Sequence, residues 1–480
     1  MNRKIVFKIT GRLLEALSLI LLLPMLVSII YKEDCFLSFL ITAGISLILG
    51  VALRLFTRNC KKDLYAKEGF LIVSLAWVSA SLVGCLPFIL SGEITSFADA
   101  FFETVSGFTT TGATVVTDIS CLSHGILFWR SFTHWIGGMG VLVFMVAFLS
   151  NISDKAIHIL RAEMSGPVVG KMVPRAKDTS KVLYTMYIAL TVVQIALLCA
   201  GEMNLFEAAV HSFGTVGTGG FGIYGDSIGS YSAYSQWIII IFMLISGVNF
   251  NLYYLLTVKR FKSVFKSEEL WTYFGIFAVA TLLITTNIHG MFSSVEETVR
   301  QAAFQVSSII TTTGFATSNF DLWPDFSKAI IFILLFTGAC AGSTAGGLKL
   351  SRVVIMFKMI KKEIKRMIHP RSVATVKFEG KEVDDSVQKG ITTYFFIYML
   401  GILTTFVVLS LEPFGFITNF TAAVTAFNNV GPGFGLVGPA GSFAAYSDFS
   451  KIFLSFAMLF GRLEIFPLLI ALIPSTWKKK

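Results

Sequence analysis

The chain has 480 residues, of which 54% are hydrophobic and only 14% are charged. Ordinary soluble domains carry about 25% charged residues. A soluble protein of this length could not bury so much apolar surface, and the mean hydropathy of +0.74 excludes that class. The net charge of +10 could indicate nucleic acid as a partner. Whether this charge indicates nucleic acid or a membrane orientation depends on where the basic residues lie along the chain.

Apolar runs of about 18 or more residues recur along the chain and indicate a polytopic membrane protein. We place ten spans at 13–31, 36–53, 70–91, 127–149, 182–201, 236–257, 270–289, 328–348, 391–411 and 451–474. If the spans alternate, 33 of the 39 Lys and Arg residues fall on one side, in segments 3–12, 54–67, 155–181, 259–266, 349–389 and 478–480. The positive-inside rule makes that side the cytoplasm. Both termini are therefore predicted to be cytoplasmic, and no nucleic acid is indicated.

The cysteines show no pattern typical of a metal site or a disulfide framework. They lie at positions 35, 60, 85, 121, 199 and 340, without a C-x-x-C spacing. Cys121 and His124 form a single C-x-x-H spacing, with no second pair to complete a metal site. No H-E-x-x-H motif is present, and no Ser or Thr has a companion base at a recognisable spacing. The sequence therefore predicts neither an enzyme nor an organic cofactor.

The outward connections between spans 3–4, 5–6, 7–8 and 9–10 share a glycine-centred polar string. Up to that glycine they read FFETVSGFTTTG (101–112), FEAAVHSFGTVG (206–217), AFQVSSIITTTG (303–314) and FTAAVTAFNNVG (420–431). Mostly apolar residues 4, 7, 8 and 11 positions before the glycine trace one face of a short helix. The sequence predicts an all-α polytopic membrane protein with two leading transmembrane helices. Four helix–pore-helix–filter–helix repeats follow them, around a pseudo-fourfold pore.

This repetition sets the predicted organisation of the chain. Residues 1–67 hold the two leading helices. The pore repeats follow at 68–154, 155–266, 267–372 and 373–480. The third repeat also carries an intramembrane loop.

A polar, irregular backbone is costly inside a membrane unless it lines protein or water. Half-helices that point inward place their C-terminal, partly negative ends at the membrane centre, where they favour a desolvated cation. Carbonyl oxygens of the following strand can replace the water of that cation, and glycine allows the left-handed torsions that align them. We therefore predict an ion filter lined by Thr110, Thr111, Gly112, Thr215, Val216, Gly217, Thr312, Thr313, Gly314, Asn429, Val430 and Gly431.

The second string, TVGTGG (215–220), closely resembles the TVGYG pattern of potassium-channel filters. With the fourfold repeat, the chain resembles the TrkH/KtrB/HKT superfamily of cation transporters over essentially its whole length. The two leading spans make it most like the TrkH branch. The resemblance implies the potassium-translocating subunit of a bacterial uptake system, in the lipid of the cytoplasmic (inner) membrane, with K+ as the transported ion. It further implies a homodimer and a cytosolic nucleotide-binding regulatory partner of the TrkA kind.

Two other functions stay open. One is a sodium-coupled potassium symporter of the KtrB kind, and the other is a membrane enzyme or scaffold without an ion path. Sodium-preferring plant members of the superfamily often carry serine in place of the first filter glycine. Here all four positions are glycine, which favours potassium. The basic amphipathic segment 356–372 can extend the eighth span, lie on anionic lipid or dock a soluble partner.

The eighth span contains GACAGSTAGGLKLSR (338–352). Gly338, Gly342 and Gly346 form two successive GxxxG spacings, a pattern that is also typical of closely packed helices. Ser, Thr and a Gly-Gly pair near mid-membrane weaken a helix, so we predict a break with a flexible loop under the filter. In the superfamily this position is an intramembrane loop that obstructs the pore. The resemblance assigns to it Gly338, Gly342, Ser343, Thr344, Gly346 and Gly347.

Arg462 lies inside the tenth span, where a mid-helix Arg costs about 2.5–3.5 kcal/mol on insertion scales and needs partners. Glu464 lies on nearly the opposite helix face and is a poor intrahelical partner. We predict that Arg462 reaches the pore axis and donates hydrogen bonds to carbonyls of the 338–347 loop. The alternative is an Arg–Glu pair with another span. The resemblance makes Arg462 a positive barrier beneath the filter.

Overall fold

The computed structural model describes residues 2–58, 65–140, 176–372 and 374–477. The α-helices are α1 (Arg3–Ile20), α2 (Leu22–Ile30), α3 (Phe36–Phe56), α4 (Ala66–Gly84), α5 (Leu86–Leu90), α6 (Phe97–Phe108), α7 (His124–Gly138), α8 (Ala176–Cys199), α9 (Leu205–Val216), α10 (Ala233–Ser246), α11 (Phe250–Thr257), α12 (Phe261–Phe265), α13 (Glu268–Asn287), α14 (Val295–Ile310), α15 (Asp325–Leu335), α16 (Leu350–Ile368), α17 (Asp385–Leu409), α18 (Phe416–Asn428), α19 (Asp448–Arg462) and α20 (Phe466–Leu472). Single 3₁₀ turns lie at Ile119–Cys121, Phe320–Leu322, Gly435–Val437 and Pro474–Trp477. Within these ranges the only strands, β1 (Lys377–Phe378) and β2 (Lys381–Glu382), form an antiparallel hairpin.

Among the described residues, six helical stretches are long and apolar enough to cross a membrane without interruption. They are Arg3–Ile30, Phe36–Phe56, Lys67–Leu90, Val182–Cys199, Glu268–Asn287 and Asp385–Leu409. These stretches coincide with the predicted spans 1, 2, 3, 5, 7 and 9, so the polytopic helical prediction is confirmed. The last nine residues of predicted span 4 (127–149) lie outside the described residues.

The predicted spans 6, 8 and 10 are not straight helices. α10 and α11 are bent by 88° at a short break. α15 ends at Leu335 and α16 begins only at Leu350. α19 and α20 are separated at Glu464 and Ile465, which have φ of 53° and 67°. A window-averaged hydropathy cannot show such breaks, because a few small or polar residues change the average over an apolar span very little.

The breaks in spans 6 and 8 contact each other, which provides hydrogen-bond partners for the interrupted backbone. The Cys340 N–H donates to the Gly247 carbonyl (3.1 Å), and the Phe250 N–H donates to the Gly342 carbonyl (3.1 Å). Non-helical backbone is tolerated at membrane depth only where protein or a water-filled cavity surrounds it. The second helices of these repeats therefore stabilise one another's irregular segments in the interior of the bundle.

Four short helices, α6, α9, α14 and α18, take the place predicted for the pore helices. Ser96, Asn204 and Ser294 cap the first three through side-chain acceptors, and Glu207 completes a capping box with Asn204. Gly415 precedes the fourth with φ of 83°. In each helix the residues towards the C-terminal end are largely buried, so these helices are enclosed by the bundle rather than exposed to lipid.

The two leading helical stretches pack through a reciprocal glycine contact. A Cβ at Gly11 would lie 2.8 Å from the Gly50 carbonyl oxygen, and a Cβ at Gly50 would lie 2.7 Å from the Gly11 carbonyl oxygen. Small residues that let helix backbones approach closely are typical of membrane interfaces. Arg54 of α3 also pairs with Glu15 of α1 at 3.0 Å. These contacts hold α3 against α1, which itself packs on the first pore repeat.

We expect Gly50→Leu to destabilise the protein by about 1–3 kcal/mol, because a side chain there overlaps the α1 backbone. Gly44→Leu is the matched control: it lies in the same helix, and a Cβ there has no atom within 4 Å. The melting temperature in detergent should fall for Gly50→Leu and stay near the native value for Gly44→Leu. Equal melting temperatures for the two variants would contradict the glycine contact.

Candidate ion pathway

The four pore helices end at one place and close a ring of backbone contacts. A Cβ at Gly112 would lie 2.1 Å from the Gly219 carbonyl oxygen, and one at Gly220 would lie 2.0 Å from the Thr313 oxygen. A Cβ at Gly314 would lie 2.3 Å from the Val430 oxygen, and one at Gly431 would lie 2.7 Å from the Thr111 oxygen. Each repeat thus meets the next, and the fourth returns to the first. Four backbone hairpins therefore surround a common centre, with no room for a side chain at the four glycines.

Every pore helix ends in the same hydrogen-bonded turn. In the first repeat the Thr110 N–H donates to the Gly107 carbonyl (3.1 Å) and the Thr111 N–H donates to the Ser106 carbonyl (2.9 Å). This pair of bonds is a Schellman motif. It recurs at Thr218 and Gly219, at Thr312 and Thr313, and at Asn429 and Val430. The left-handed residue is Thr110, Thr218, Thr312 or Asn429, with φ of 55–56°.

The second filter string is therefore shifted by three residues from the predicted register. Thr215 and Val216 are the last residues of α9, and Gly217 is in a right-handed conformation with φ of −73°. The positions equivalent to Thr110, Thr111 and Gly112 are Thr218, Gly219 and Gly220. The predicted choice of Thr215, Val216 and Gly217 is corrected on this point.

In repeats 1 and 2 the corrected register places the ring glycine at the same distance from the start of the pore helix. Ser96 caps α6 sixteen residues before Gly112, and Asn204 caps α9 sixteen residues before Gly220. The string 215–220 contains two T-x-G triplets, and likeness to the channel pattern favours the wrong one. In repeat 3, however, Ser294 caps α14 twenty residues before Gly314, so a count from the helix start does not fix the register in every repeat.

Threonine in a left-handed conformation costs roughly 1–2 kcal/mol, so its use at three of the four turns indicates a constraint. Hydroxyl groups link the strand residues: Thr109 and Thr111 are 2.8 Å apart, as are Thr311 and Thr313 at 2.7 Å. In the fourth repeat the Asn429 amide donates to the Thr111 hydroxyl (3.0 Å) and to the Met458 carbonyl (2.9 Å). The ring is thus joined by side chains as well as by backbone.

A buried ion pair supports the first filter strand from behind. Glu103 of α6 and Arg130 of α7 are 2.7 Å apart, and both are 1% exposed. The Glu103 carboxylate accepts from the Thr114 hydroxyl (3.0 Å) and from the Val115 N–H (3.0 Å). Removing one partner of a buried pair typically costs about 3–5 kcal/mol. The pair therefore anchors the strand that leaves the filter, and sequence reasoning missed it.

The loop between α15 and α16 lies directly against the turns of repeats 3 and 4. The Gly346 N–H donates to the Thr312 hydroxyl (2.7 Å). A Cβ at Gly346 would lie 2.8 Å from the Asn429 Cβ, which explains why glycine is needed there. Gly342 and Gly347 have φ of 71° and 68°.

The other predicted loop residues hold the loop in shape. The Gly338 N–H donates to the Leu348 carbonyl (2.8 Å), which joins the two ends of the loop. The Ser343 hydroxyl donates to the Cys340 carbonyl (2.7 Å), and the Thr344 hydroxyl donates to the Ser246 carbonyl (3.2 Å). All six predicted loop residues therefore lie in one compact segment next to the filter.

Arg462, the last residue of α19, connects this loop to the first repeat. Its guanidinium donates to the Thr344 carbonyl (2.8 Å), to the Gly138 carbonyl (2.9 Å) and to the Gly137 carbonyl (2.5 Å). Glu464 pairs instead with Arg352 at the start of α16, at 2.5 Å. The positive φ angles of Glu464 and Ile465 end α19 at this point. The side chains of Arg462 and Glu464 therefore reach different partners.

Glu269 is a second functional candidate that the sequence did not reveal. It lies in the first turn of α13 and is 5% exposed. One carboxylate oxygen accepts from the Ala341 N–H (2.8 Å) and from the Ser351 N–H (3.0 Å). Glu269 thus ties the middle of the loop to the first turn of α16. The buried Lys349 ammonium, within the same segment, donates to the Ala345 carbonyl.

A family model for the cation transport protein TrkH matches residues 37–479. The Trk system potassium uptake protein TrkH of Escherichia coli K12 is 36% identical over the full length of both chains. The Trk system potassium uptake protein TrkG of the same organism is 35% identical over 99% of both chains. The crystal structure of the potassium transporter TrkH from Vibrio parahaemolyticus superposes with a TM-score of 0.90, at 34% identity and full coverage of both chains. The chain therefore belongs to the TrkH family of cation transport proteins.

Proposed function

We propose that this chain is the potassium-translocating subunit of a bacterial Trk-type uptake system. The observation that carries the proposal is the closed ring of four glycine–carbonyl contacts at the ends of the pore helices. A dehydrated K+ needs several oxygen ligands at once, and four converging backbone turns supply them symmetrically. The transported ion is cargo of this filter and not a resident cofactor.

The filter residues of this proposal carry the corrected register. They are Thr110, Thr111, Gly112, Thr218, Gly219, Gly220, Thr312, Thr313, Gly314, Asn429, Val430 and Gly431. The C-terminal ends of the four pore helices face the ring, where their partial negative charge favours a cation. The backbone of these residues supplies the oxygens, since a valine and a glycine replace threonine in two of the strands.

The loop of residues 336–349 and Arg462 act as the gate in this proposal. Arg462 joins the loop in repeat 3 to the end of α7 in repeat 1, so its positive charge lies between elements that surround the pathway. A cation that leaves the filter would meet this charge in a low-dielectric setting, where repulsion is strong. Conduction requires the loop and Arg462 to move apart.

The sodium-coupled symporter of the KtrB kind is less favoured. Full-length relatives bear the names of Trk system potassium uptake proteins, including TrkI of Halomonas elongata at 29% identity. No observation favours a membrane enzyme or scaffold without an ion path.

The proposal extends to the setting of the subunit. We place it in the bacterial cytoplasmic membrane with both termini inside, as a homodimer. A cytosolic nucleotide-binding partner of the TrkA kind would act from the face that carries the basic residues. The basic helix α16 and the β1–β2 hairpin provide a surface for such a partner, because Lys361, Lys365 and Arg366 of α16 are exposed. Lys358 and Lys362 pair with Glu268 and Asp385 within this chain.

We expect Gly220→Ser to lower the preference for K+ over Na+ at least about tenfold, which corresponds to ~1.4 kcal/mol. The added side chain would overlap the Thr313 carbonyl and displace that oxygen from the ring. Gly225→Ser is the matched control, because a Cβ there has no atom within 4 Å. Growth of a potassium-uptake-deficient bacterium in low potassium and ion flux in proteoliposomes measure the effect. An unchanged K+/Na+ preference in Gly220→Ser would contradict the corrected register.

We expect Arg462→Ala to raise potassium flux several-fold, because it removes a half-buried positive charge and three hydrogen bonds that tie the loop to α7. Arg54→Ala serves as the control, since Arg54 is half exposed and pairs with Glu15 at the leading helices. Proteoliposome flux and the melting temperature should be measured together. Unchanged flux in a well-folded Arg462→Ala protein would refute the barrier.

We expect Glu269→Ala to loosen the loop, because it removes two hydrogen bonds to a charged acceptor, each contributing about 1.5–3 kcal/mol. Cys340, a buried free thiol in the loop, reports on this change. Its labelling by a membrane-permeant maleimide, followed by mass spectrometry, should become faster in Glu269→Ala. Glu268→Ala is the neighbouring control, since Glu268 pairs with Lys358 at the surface. Equal labelling rates in the two variants would exclude this role of Glu269.

A further inference from the structure

The second filter strand differs from the other three at the residue before the ring glycine. That residue is Thr111, Thr313 or Val430 in repeats 1, 3 and 4, but it is Gly219 in repeat 2. The backbone of Gly219 is not left-handed, so its torsions do not call for glycine. Some neighbour must therefore exclude the side chain.

The neighbour is His134 of α7. A Cβ at Gly219 would lie 2.1 Å from His134 Cγ, 2.3 Å from Nδ1 and 2.5 Å from Cδ2. The three nearest atoms thus all belong to one imidazole, which is fully buried. We infer that His134 is a positioning residue of the filter, and that it substitutes for the missing side chain of the second strand.

Both ring nitrogens of His134 are used, and they join two repeats. Nδ1 donates to the Gly107 carbonyl (2.8 Å) at the end of the first pore helix. Nε2 accepts from the Phe221 N–H (3.3 Å), directly after the second ring glycine. Because Nε2 must accept, the proton lies on Nδ1, and the neutral imidazole has a single tautomer that satisfies both partners. The imidazole therefore sets the distance between the end of the first pore helix and the segment that follows the second ring glycine.

Phe221 is held from two sides by α7. The His134 ring lies 4.2 Å from the Phe221 ring centroid, and the Arg130 guanidinium carbon lies 4.2 Å from the same centroid. Arg130 in turn pairs with Glu103 behind the first strand. Arg130, His134 and Gly138 follow one another at four-residue spacing on one face of α7, and a Cβ at Gly138 would lie 2.8 Å from the Gly217 Cα. This face aligns the first two filter strands along their length.

The threonines in repeats 1 and 3 show what His134 replaces. Thr111 bonds to Thr109 and Thr313 bonds to Thr311 within their own strands. Gly219 has no side chain for such a bond, and its strand is supported from outside through Phe221. In repeats 1 and 3 a hydroxyl–hydroxyl bond within the strand stabilises it. In repeat 2 the stabilising bond comes from the imidazole of α7 instead.

This inference rests on the proposed function, because it assigns His134 to the potassium filter. It is tested by combining Gly219→Ala and His134→Ala in the full-length protein. Gly219→Ala alone should lower the K+/Na+ flux ratio in proteoliposomes at least about tenfold, since the methyl group overlaps the imidazole. His134→Ala alone should also lower the ratio, because two hydrogen bonds are lost. In the His134→Ala background, adding Gly219→Ala should cause no further loss.

Gly217→Ala is the matched control. A Cβ at Gly217 would lie 2.6 Å from the backbone carbonyl oxygens of His134 and Phe213, so shortening the His134 side chain gives it no relief. Gly217→Ala should lower the K+/Na+ flux ratio by the same factor in the protein that keeps His134 and in the His134→Ala protein. The melting temperature in detergent gives the same comparison without any ion flux. If wild-type protein carries no potassium, the proposed function fails, while the melting temperatures still test the steric pair.

Two results would overturn the inference. The first is that Gly219→Ala lowers the K+/Na+ flux ratio and the melting temperature as much in the His134→Ala background as in the protein that keeps His134. The second is a wild-type K+/Na+ ratio in His134→Ala, since a residue that only stabilises the fold would lower the melting temperature and leave the selectivity ratio unchanged.

Discussion

The structure depends on the close approach of four backbone turns at the ends of the pore helices. At each turn a glycine faces the carbonyl oxygen of the next repeat at a distance that excludes a β-carbon. Such proximity brings several backbone oxygens together in the interior of a membrane protein, where unpaired carbonyls are otherwise costly. A dehydrated cation is the ligand that this arrangement suits.

The irregular segments around this ring are stabilised by one another. The breaks in the second helices of repeats 2 and 3 exchange backbone hydrogen bonds, and Arg462 links the break in repeat 4 to repeats 1 and 3. Glu269 joins the middle of the loop in repeat 3 to the start of α16. A hydrogen-bond network of this kind has few alternatives, because each freed group would be left unpaired at low dielectric. If this network forms the gate, as proposed, its opening requires a concerted movement of several elements.

Much of the fold follows from the sequence because hydropathy and charge act locally. The long apolar runs, the basic segments between them and the four glycine strings were sufficient to predict the repeats and the pore helices. The break in the eighth span was also predictable from its glycines and hydroxyl residues. The bends at Gly247–Asn249 and at Glu464–Ile465 were not, since one polar residue in an apolar run, Asn249 or Glu464, does not by itself mark the end of a helix.

The sequence by itself determined that the chain is a membrane protein with four repeats, because composition and periodicity need no knowledge of distant contacts. Only the tertiary structure decided which threonine and glycine of the second string belong to the ring. It also revealed the partners of Glu103, His134 and Glu269, which lie on other helices and far along the chain. The reason is physical: the register of a turn is set by which backbone atoms meet across repeats, and no local pattern encodes those distances.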